Sequence, residues 1–346
     1  MGVNLTPIIV REKVSLNSLR GKSLAVDANN MLYQFLSVIR LRYGIPLQDS
    51  KGRSTSHLGG LIFRSSRLIC DYDMKLVFVF DGESPRLKFE ELKRRSMIRF
   101  EAKKEWEEAV ALGDEERAFS KAVTSTRLTR EMIEDSKKVL RYLGVPYVEA
   151  PGEAEAQAAH MARMGRVWGA NSRDFDSLLF GAPRLARYVT ISGSEYLPSK
   201  GISRRLVPEV IHLDKLLDTL GISWEELIDL AILIGTDYSM GVKGVGPKTA
   251  LKLIKEHGRL ENLPSEIRAQ ITENYEVVRG LFKEPRVTDN YSMNYTDLDK
   301  EGLLRFLVEE KGFAEERITV VVNRMKKFYS ARRQTGLGVW FHDSPT

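Results

Sequence analysis

Short apolar runs alternate with longer amphipathic segments over the first two thirds of the chain. Segments such as NMLYQFLSVIRLRYG (30–44) and TREMIEDSKKVLRYLG (129–144) place apolar residues at helical spacing. Between them lie runs with the length and apolar content of buried strands: SLAVDA (23–28), KLVFVFDG (75–82), PYVEA (146–150), RVWGA (166–170) and RYVTIS (187–192). This alternation predicts an α/β fold with a largely parallel, twisted sheet flanked by helices.

Two regions depart from this alternation. Residues 86–135 are rich in Lys, Arg, Glu and Ala and have few apolar positions, which predicts a helical insertion standing off the body. From about residue 208 the pattern is helical to the end of the core. The predicted organisation is a single core with a flexible tail, divided into 1–85, the insertion 86–135, an internal part 136–257, C-terminal helices 259–330 and the tail 331–346.

The overall composition is that of an ordinary globular protein. No apolar run approaches the roughly 18–20 residues that a membrane span needs, and the N-terminus lacks the layout of a signal peptide. Cys70 is the single cysteine in the sequence, which excludes an intrachain disulfide and a cysteine-based metal site. We therefore expect an intracellular protein, in the cytoplasm or nucleoid, without a membrane partner.

Positive charge is concentrated in two clusters. The net charge is +6, and residues 86–104 carry eight Lys or Arg against three Glu. Residues 324–333 carry five Lys or Arg and no acid. Such clusters are typical of proteins that bind a polyanion, although either cluster taken singly is as well explained by a solvated helix face.

Carboxylates follow the predicted strands at the edge where open α/β sheets bind ligands. Asp27 and Asp81 close the first two strands, and VWGANSRDFDSLLFG (167–181) places two acids directly after the fourth. Two more lie where PYVEA gives way to a helix, and one lies in the loop IGTDYS. The full set is Asp27, Asp81, Glu153, Glu155, Asp174, Asp176 and Asp237.

Each of these acids alone has a structural explanation. Asp27 could cap a helix, and Glu153 could serve the dipole at a helix start. Their convergence is harder to explain in that way, since unpaired carboxylates in one cleft repel each other and hard divalent cations relieve that repulsion. Oxygen-only ligands favour Mg²⁺ or Mn²⁺. Beside a basic surface, two such ions about 4 Å apart indicate phosphodiester hydrolysis.

The stretch DYSMGVKGVGPKTALKLIKEHG (237–258) combines glycines with the start of a helix. Gly244 and Gly246 precede Pro247, which opens the helix and is followed by Lys248 and Thr249. Glycine turns let backbone N–H groups approach a phosphate, and a helix N-terminus favours negative charge. The stretch resembles a helix–hairpin–helix motif that grips duplex DNA by its backbone; an ordinary helix–turn–helix corner is the alternative.

The tail contains QTGLGVWF (334–341), which spaces four anchor residues over about two helical turns. They are Gln334, Leu337, Trp340 and Phe341. Exposed apolar anchors of this kind favour a partner pocket, with packing onto the body as the alternative.

Taken together, these motifs resemble those of a flap endonuclease of the archaeal/eukaryotic type, in the structure-specific 5′-nuclease superfamily. The resemblance covers nearly the whole chain, through segments in the same order: VDANNMLYQFL, STSHLGGLIFR, FVFDGESPRLK, VPYVEAPGEAEAQ, RDFDSLLFG, IGTDYSMGVKGVGPKTALKLI and the tail. It implies cleavage of branched DNA near the base of a 5′ flap, with 5′ exonuclease activity, in lagging-strand maturation and base excision repair. It also implies a single-stranded flap passing through a helical arch formed by residues 86–135.

The resemblance assigns roles to individual residues. It implies a two-metal site with a first group, Asp27, Asp81, Glu153 and Glu155, and a second group, Asp174, Asp176 and Asp237. Lys88 and Arg95 match a basic pair that reaches the scissile phosphate, Tyr33 matches a tyrosine that stacks on the adjacent nucleotide, and Glu153 also counts among the catalytic groups. The implied DNA contacts are Gly2, Arg40, Lys243, Gly244, Gly246, Lys248 and Thr249. A K⁺ ion at the glycine-rich motif, a sliding clamp (PCNA) at QTGLGVWF, and a monomeric state complete the expectation.

Two departures and two competing hypotheses remain at this point. Arg173 stands where the family usually has Gln, and Asn29 and Asn30 lie just after Asp27, behind Ala28. One competing hypothesis is a sibling nuclease of the excision-repair, exonuclease or junction-resolving type. The other is a non-catalytic DNA-binding adaptor on the clamp, which leaves the seven carboxylates unexplained.

Overall fold

A computed structural model of the chain describes residues 2–191, 193–197 and 202–334. Within them, seven strands form one sheet in the order β1-β9-β6-β5-β2-β3-β4, and β7 and β8 form a separate hairpin. The strands are β1 (Glu12–Lys13), β2 (Ser23–Asp27), β3 (Lys75–Phe80), β4 (Tyr147–Glu149), β5 (Gly169–Asn171), β6 (Arg184–Arg187), β7 (Gly193–Leu197), β8 (Ile202–Leu206) and β9 (Glu209–His212). The pairs from β6 to β4 are parallel, and β9 joins β6 and β1 antiparallel.

Helices cover both faces of the sheet. In chain order they are α1 (Ala28–Val38), α2 (Ser56–Tyr72), α3 (Phe89–Ala111), α4 (Glu115–Thr124), α5 (Arg130–Leu143), α6 (Ala154–Arg163), α7 (Asp176–Leu179), α8 (Leu213–Leu220), α9 (Trp224–Ile234), α10 (Pro247–His257), α11 (Ser265–Arg268), α12 (Tyr275–Lys283), α13 (Lys300–Leu304) and α14 (Glu315–Gln334). A π-helical turn, Arg305–Glu310, follows α13, and short 3-10 turns cover Asn17–Leu19, Arg42–Gly44, Arg86–Lys88 and Leu260–Asn262. The predicted α/β class and flanked parallel sheet are confirmed.

The alternation of side chains along the central strands divides the core in two. Leu24 and Val26 of β2 pack with α1, α2, α5, α13 and α14, whereas Ala25 packs with α6, α7, α9, α10 and α12 on the other face. Because successive strand residues point to opposite faces, one strand supplies both cores. Parallel pairing of β2 with β3 and β5 then brings the carboxyl ends of these strands to one edge of the sheet.

Two elements of the sequence prediction are wrong. The strand expected at 187–192 lies instead at Arg184–Arg187, and the backbone turns at Tyr188, whose φ is 57°. The expectation of an all-helical chain from residue 208 misses β9, which extends the sheet antiparallel to β6. Both errors concern strands at the end of the parallel region, where residues pair with partners that a local pattern does not reveal.

The insertion consists of α3 and α4, which pack against each other. Large apolar side chains of α3, including Phe89, Met97 and Phe100, are more than half exposed. The helix α5, by contrast, buries Val139, Leu140 and Leu143 in the core. The last residues of the stretch 86–135 thus fall in the first turns of α5, whose later residues join the core.

None of the helices in the described part of the chain is both long and apolar enough to cross a membrane.

Candidate active site

The seven carboxylates meet at the edge where β2, β3 and β5 end. Asp27 is the last residue of β2, Asp81 follows β3, and Asp174 lies in the loop after β5. Three others lie at helix starts: Glu153 and Glu155 flank the first residue of α6, and Asp176 opens α7. Asp237 follows α9 in the loop that leads to the glycine-rich stretch. The structure thus brings the seven carboxylates to one edge of the sheet.

Two carboxylates of the first group are held by backbone amides at helix starts. Asp27 is the N-cap of α1, and its Oδ1 accepts a hydrogen bond from Asn30 N at 2.9 Å. Asp81 Oδ1 accepts from Ala154 N, the first residue of α6, at 2.8 Å. The structural role considered for Asp27 is therefore real, and it fixes the carboxylate at the sheet edge.

Basic side chains from the start of the insertion contact the same cluster. Lys88 Nζ pairs with Glu153 and lies 3.2 Å from Asp237 Oδ2. Arg95 pairs with Asp237 and also donates to Glu91 at 2.6 Å. Burial opposes the charge of Lys88, but Glu153 and Asp237 more than offset it and leave the pKa of Lys88 raised. Two cations, one on α3 and one on its entry turn, thus face the carboxylates.

Asp176 lies against the N-terminus of the chain. Its Oδ1 accepts a hydrogen bond from Val3 N at 2.9 Å. A Cβ atom on Gly2 would lie 2.4 Å from the same oxygen, closer than real Cβ contacts come. Position 2 therefore has no room for a side chain, because it lies too close to Asp176, a predicted metal ligand.

Mutual repulsion and burial shift the protonation of these acids. Burial raises the pKa of Asp27 well above its ordinary value, and the charge of Asp81 adds to the shift. Burial and then Asp176 raise the pKa of Glu155 in the same way. Burial and then Asp237 raise the pKa of Asp176 to about 8. A cation that enters the cleft would therefore relieve the repulsion and stabilise the charged form of these carboxylates.

The donor atoms of the cluster are of the kind that a hard divalent cation prefers. All seven groups offer carboxylate oxygens, and Glu155 Oε1 is buried without a hydrogen-bond partner among the described residues. Among those residues, however, no group of three or more His, Cys, Asp or Glu side chains is arranged to hold a metal ion. The oxygen-only chemistry of the site thus fits Mg²⁺ or Mn²⁺, while in this arrangement Glu153 is paired with Lys88.

Tyr33 lies on α1 beneath the insertion. Its ring is 5.3 Å from the guanidinium carbon of Arg99 on α3, and the side chain is half-buried. An accessible aromatic face near basic groups is a suitable stacking surface for a nucleobase.

Arg40 is oriented differently, since its guanidinium donates to the Gly44 carbonyl and the Thr126 hydroxyl. Arg40 therefore ties the insertion to the body.

The glycine-rich stretch forms an exposed turn ahead of α10. Gly244 has a φ of 81°, and a Cβ at either Gly244 or Gly246 would meet open space. Pro247 occupies the first turn of α10, and Lys243, Lys248 and Thr249 are exposed. An open cleft of about 450 Å³ beside it is lined by Lys248, Leu251, Lys252, Lys255 and Glu256. The two glycines leave the backbone of the turn accessible, and the neighbouring lysines make its surroundings basic. Both features suit binding of a phosphate backbone.

The predicted clamp box falls mostly beyond the described part of the chain. Gln334 is the last residue of α14, and Leu337, Trp340 and Phe341 lie outside the described residues.

Three residues near the carboxylates escaped the sequence analysis or received no role in it. Tyr238 donates its hydroxyl to Glu153, and the buried Arg187 donates Nε to the Arg173 carbonyl at 2.8 Å while its guanidinium stacks on Phe175. Gln34 donates to Asn30. A tyrosine beside an acid and an arginine in a strand have no spacing signature, because their contacts are made across the fold. Only the helical spacing of Asn30 and Gln34 was available as a signal.

Two domain families match the chain at the sequence level. The XPG N-terminal domain matches residues 1–102, and the XPG I-region matches residues 144–237. Together the two segments contain all seven carboxylates, and the gap between them contains most of the insertion.

Curated relatives match over nearly the full length. The chain is 45% identical to "Flap endonuclease 1" of Pyrococcus abyssi over 342 residues, covering 99% of this chain and 98% of the relative. It is 46% identical to "Flap endonuclease 1" of Hyperthermus butylicus over 351 residues, covering 98% and 99%.

Solved structures give the same picture. The flap endonuclease-1 of Methanococcus jannaschii superposes with a TM-score of 0.76 and 38% identity, covering 96% of this chain and 100% of that one. The catalytic core of Rad2 in complex with DNA substrate gives a TM-score of 0.65 over 92% and 96% of the two chains. At 23% identity, the likeness to Rad2 concerns the fold alone.

Proposed function

Because the chain belongs to the flap endonuclease family of structure-specific nucleases, we propose that it hydrolyses a phosphodiester bond at the base of a 5′ flap in branched DNA. The observation that carries this proposal is the convergence of seven carboxylates at the edge formed by β2, β3 and β5. A cleft this acidic beside exposed basic residues suits a phosphodiester only when cations mediate between the two. Some 5′ exonuclease activity belongs to the same proposal.

The carboxylates would hold two divalent ions, Mg²⁺ or Mn²⁺. The first would be held by Asp27, Asp81, Glu153 and Glu155, and the second by Asp174, Asp176 and Asp237. When bound, such ions supply Lewis-acid activation of the phosphodiester and a water of lowered pKa. The assignment is supported by the raised pKa of Asp176 and by Glu155 Oε1, which is buried and has no hydrogen-bond partner within the described part of the chain.

The basic pair on the insertion would act on the scissile phosphate itself. Lys88 and Arg95 contact Glu153 and Asp237, so their charged ends already lie at the cleft. A phosphate that enters the cleft would accept hydrogen bonds from both cations, which stabilise the charge that develops on its oxygens. The ring of Tyr33 would stack on the nucleotide beside the cut and hold its register.

The glycine-rich turn would bind the duplex away from the cleft. Its exposed groups, Lys243, Gly244, Gly246, Lys248 and Thr249, offer backbone N–H groups and positive charge to a DNA strand, with a K⁺ ion at the same turn as part of the proposal. Gly2 would lie near the DNA through its contact with Asp176. Arg40 would influence DNA only by supporting the insertion, given its contacts to Gly44 and Thr126.

The proposed setting is the removal of flaps during lagging-strand maturation and base excision repair. A sliding clamp (PCNA) would bind Gln334, Leu337, Trp340 and Phe341, and the enzyme would act as a monomer. Deleting residues 335–346 should abolish co-elution with the clamp and leave cleavage of free flap DNA unchanged. Loss of cleavage on deletion would contradict a role for the tail in recruitment alone.

The deciding experiment is cleavage of an end-labelled double-flap DNA in Mg²⁺ by the unmodified chain and by Asp176→Asn. We expect release of the flap at one site by the former, and DNA binding without cleavage by the latter. Asp218→Asn is the matched control, because Asp218 is an exposed residue of α8. Binding without cleavage by the unmodified chain in both Mg²⁺ and Mn²⁺ would favour the clamp adaptor. Preferential cleavage of four-way junctions would favour a sibling nuclease.

A further inference from the structure

Two consecutive asparagines, Asn29 and Asn30, lie in the first turn of α1, just after Asp27 and Ala28. Asn29 Nδ2 donates to Asp81 Oδ2 at 2.7 Å. Asn30 Nδ2 donates to Asp174 Oδ2 at 2.9 Å. The first turn of one helix thus reaches one carboxylate from each of the two proposed metal-binding groups, although these carboxylates follow different strands.

The orientation of the Asn30 amide is fixed by its other contacts. Its Oδ1 accepts hydrogen bonds from Gln34 Nε2, one turn along α1, and from Arg173 N at 3.3 Å. The backbone N–H of Arg173 can only donate and the carboxylate of Asp174 accepts, so the amide oxygen faces Arg173 and the amide nitrogen faces Asp174. Because Arg173 N belongs to the loop that carries Asp174, Asn30 holds both the backbone and the carboxylate of that loop.

Asn29 has a corresponding position on the first group. The carboxylate of Asp81 is held from two sides, by Asn29 at one oxygen and by Ala154 N at the other, at 2.8 Å. Asn29 Oδ1 is buried and finds no hydrogen-bond partner among the described residues. That oxygen is therefore an acceptor available within the cleft itself.

The charge state of these donors distinguishes them from the basic residues across the cleft. Lys88 and Arg95 neutralise the carboxylates that they contact, Glu153 and Asp237. A neutral amide orients a carboxylate without removing its charge, so the attraction for a divalent cation is retained. Hydrogen bonds to ligating carboxylates of this kind fix the ligand and raise metal affinity.

From these contacts we propose that Asn29 and Asn30 are positioning residues, each serving a different proposed metal ion. Asn29 fixes Asp81 in the first group, and Asn30, held by Gln34, fixes Asp174 in the second. The proposal rests on the proposed two-metal function. Asp27 links the two, because it caps the helix through Asn30 N and belongs to the first group as well.

The test is titration of the DNA-free protein with Mn²⁺, followed by calorimetry and by electron paramagnetic resonance of the free ion. The variants are Asn29→Leu, Asn30→Leu and the double variant, with Asn290→Leu as control because Asn290 is exposed in a loop. We expect each single variant to weaken one of two binding events by about 10–100-fold and to leave the other unchanged. The double variant should weaken both events.

Gln34→Leu separates positioning from a general loss of structure, because Gln34 touches Asn30 and is not placed among the ligands. It should weaken the same binding event as Asn30→Leu, by a smaller factor. In cleavage assays, the Asn30 and Gln34 variants should need more Mg²⁺ for half-maximal rate and should recover kcat at saturating Mg²⁺.

The outcomes separate the two levels of the argument. If the unmodified chain binds no Mn²⁺, the proposed two-metal function fails. If the unmodified chain binds Mn²⁺ and all variants match its stoichiometry and affinity, the two-metal function stands and the positioning role is wrong. If the thermal transition shows that Asn30→Leu does not fold, Asn30→Asp and Gln34→Leu replace it in the test. An unchanged affinity for Mn²⁺ in both of these variants would overturn the role of Asn30.

Discussion

The ammonium of Lys88 lies 3.2 Å from Asp237 Oδ2 and also contacts Glu153, so one cation from the start of the insertion joins two of the proposed metal-binding carboxylates. Burial opposes its charge, but the two acids dominate and the pKa of Lys88 is raised. The two carboxylates thus favour the charged form of Lys88. Its positive charge lies at the cleft, where it can act on a phosphate.

Replacing Lys88 with Met should slow cleavage and leave DNA binding nearly unchanged. The loss should be about 10²–10³-fold in kcat, the range for removing one donor that acts on charge developing in a transition state. Affinity for flap DNA, measured by fluorescence anisotropy in Ca²⁺, should change little because many other contacts bind the duplex.

Lys93→Met is the matched control for Lys88→Met, since Lys93 is an exposed lysine in the first turns of α3, the helix that begins directly after Lys88. It should retain kcat. An equal loss in both variants would mean that the insertion needs general positive charge, and that Lys88 has no specific role at the cleft.

How far the sequence predicts this site depends on how local its signals are. The ends of β2 and β3 were predictable because apolar runs stop at Asp27 and Asp81, and parallel pairing brings such ends together. The contacts of Tyr238 and Arg187 were not, because each reaches its partner across the fold. Strand β9 was missed for a related reason, since its pairing with β6 depends on tertiary structure.

Asp176→Asn should stabilise the metal-free protein at pH 8. In an unfolded chain an aspartate titrates near 4, whereas burial and Asp237 raise the pKa of Asp176 to about 8 in the fold. The folded state therefore binds the proton more tightly, and the stability contributed by the protonated group is lost as the pH rises through the folded pKa. The neutral amide removes that loss.

The expected gain is a few degrees in the melting temperature measured in EDTA at pH 8, shrinking toward zero near pH 4. Addition of Mg²⁺ should reverse the order, because the ion stabilises only the chain that retains the full ligand set. A melting temperature of Asp176→Asn below that of the unmodified chain at every pH, in EDTA, would contradict this account of the cleft.

Gly2→Ala should impair catalysis because the added Cβ would lie 2.4 Å from Asp176 Oδ1. The carboxylate or the N-terminal segment must move, and a displacement of about 1 Å at a reacting site can cost about 10²-fold in rate. Steady-state cleavage and the Mg²⁺ requirement would measure the effect. Unchanged values for both would mean that the N-terminal segment shifts without disturbing Asp176.

Gly246→Ala should weaken DNA binding and leave the fold intact. The φ of Gly246 is −95°, which any residue adopts, and an added Cβ would meet open space in the protein. The methyl group would instead block a DNA backbone that approaches the turn before α10. The expected result is a higher KM with kcat unchanged at saturating DNA.

The control for Gly246→Ala is Gly280→Ala, at a glycine within α12 that also has open space around it. Alanine there should stabilise the helix by roughly 0.5–1 kcal/mol without affecting KM. If Gly246→Ala has a normal KM, the glycine-rich turn does not approach DNA as closely as proposed.

Asp229→Ala should destabilise the unit that carries the glycine-rich turn. Asp229 is fully buried in α9, and it accepts from Arg279 of α12 at 2.7 Å and pairs with Arg259, beyond α10, at 3.0 Å. Its removal leaves Arg279 paired with Glu261 and Arg259 paired with Glu225, so the cost should be that of lost buried hydrogen bonds, about 1–3 kcal/mol, and less than for an uncompensated buried charge. Chemical denaturation would measure that loss.

Glu107→Ala is the control, because the Glu107–Lys103 pair is exposed and should contribute about 0–1 kcal/mol. At denaturant concentrations below the unfolding transition, Asp229→Ala should retain Mn²⁺ binding, since Asp229 lies outside the carboxylate cluster. Its affinity for DNA should fall, because α10 and the glycine-rich turn are held less firmly. A loss confined to metal binding would instead mean that α9 transmits the change to Asp237.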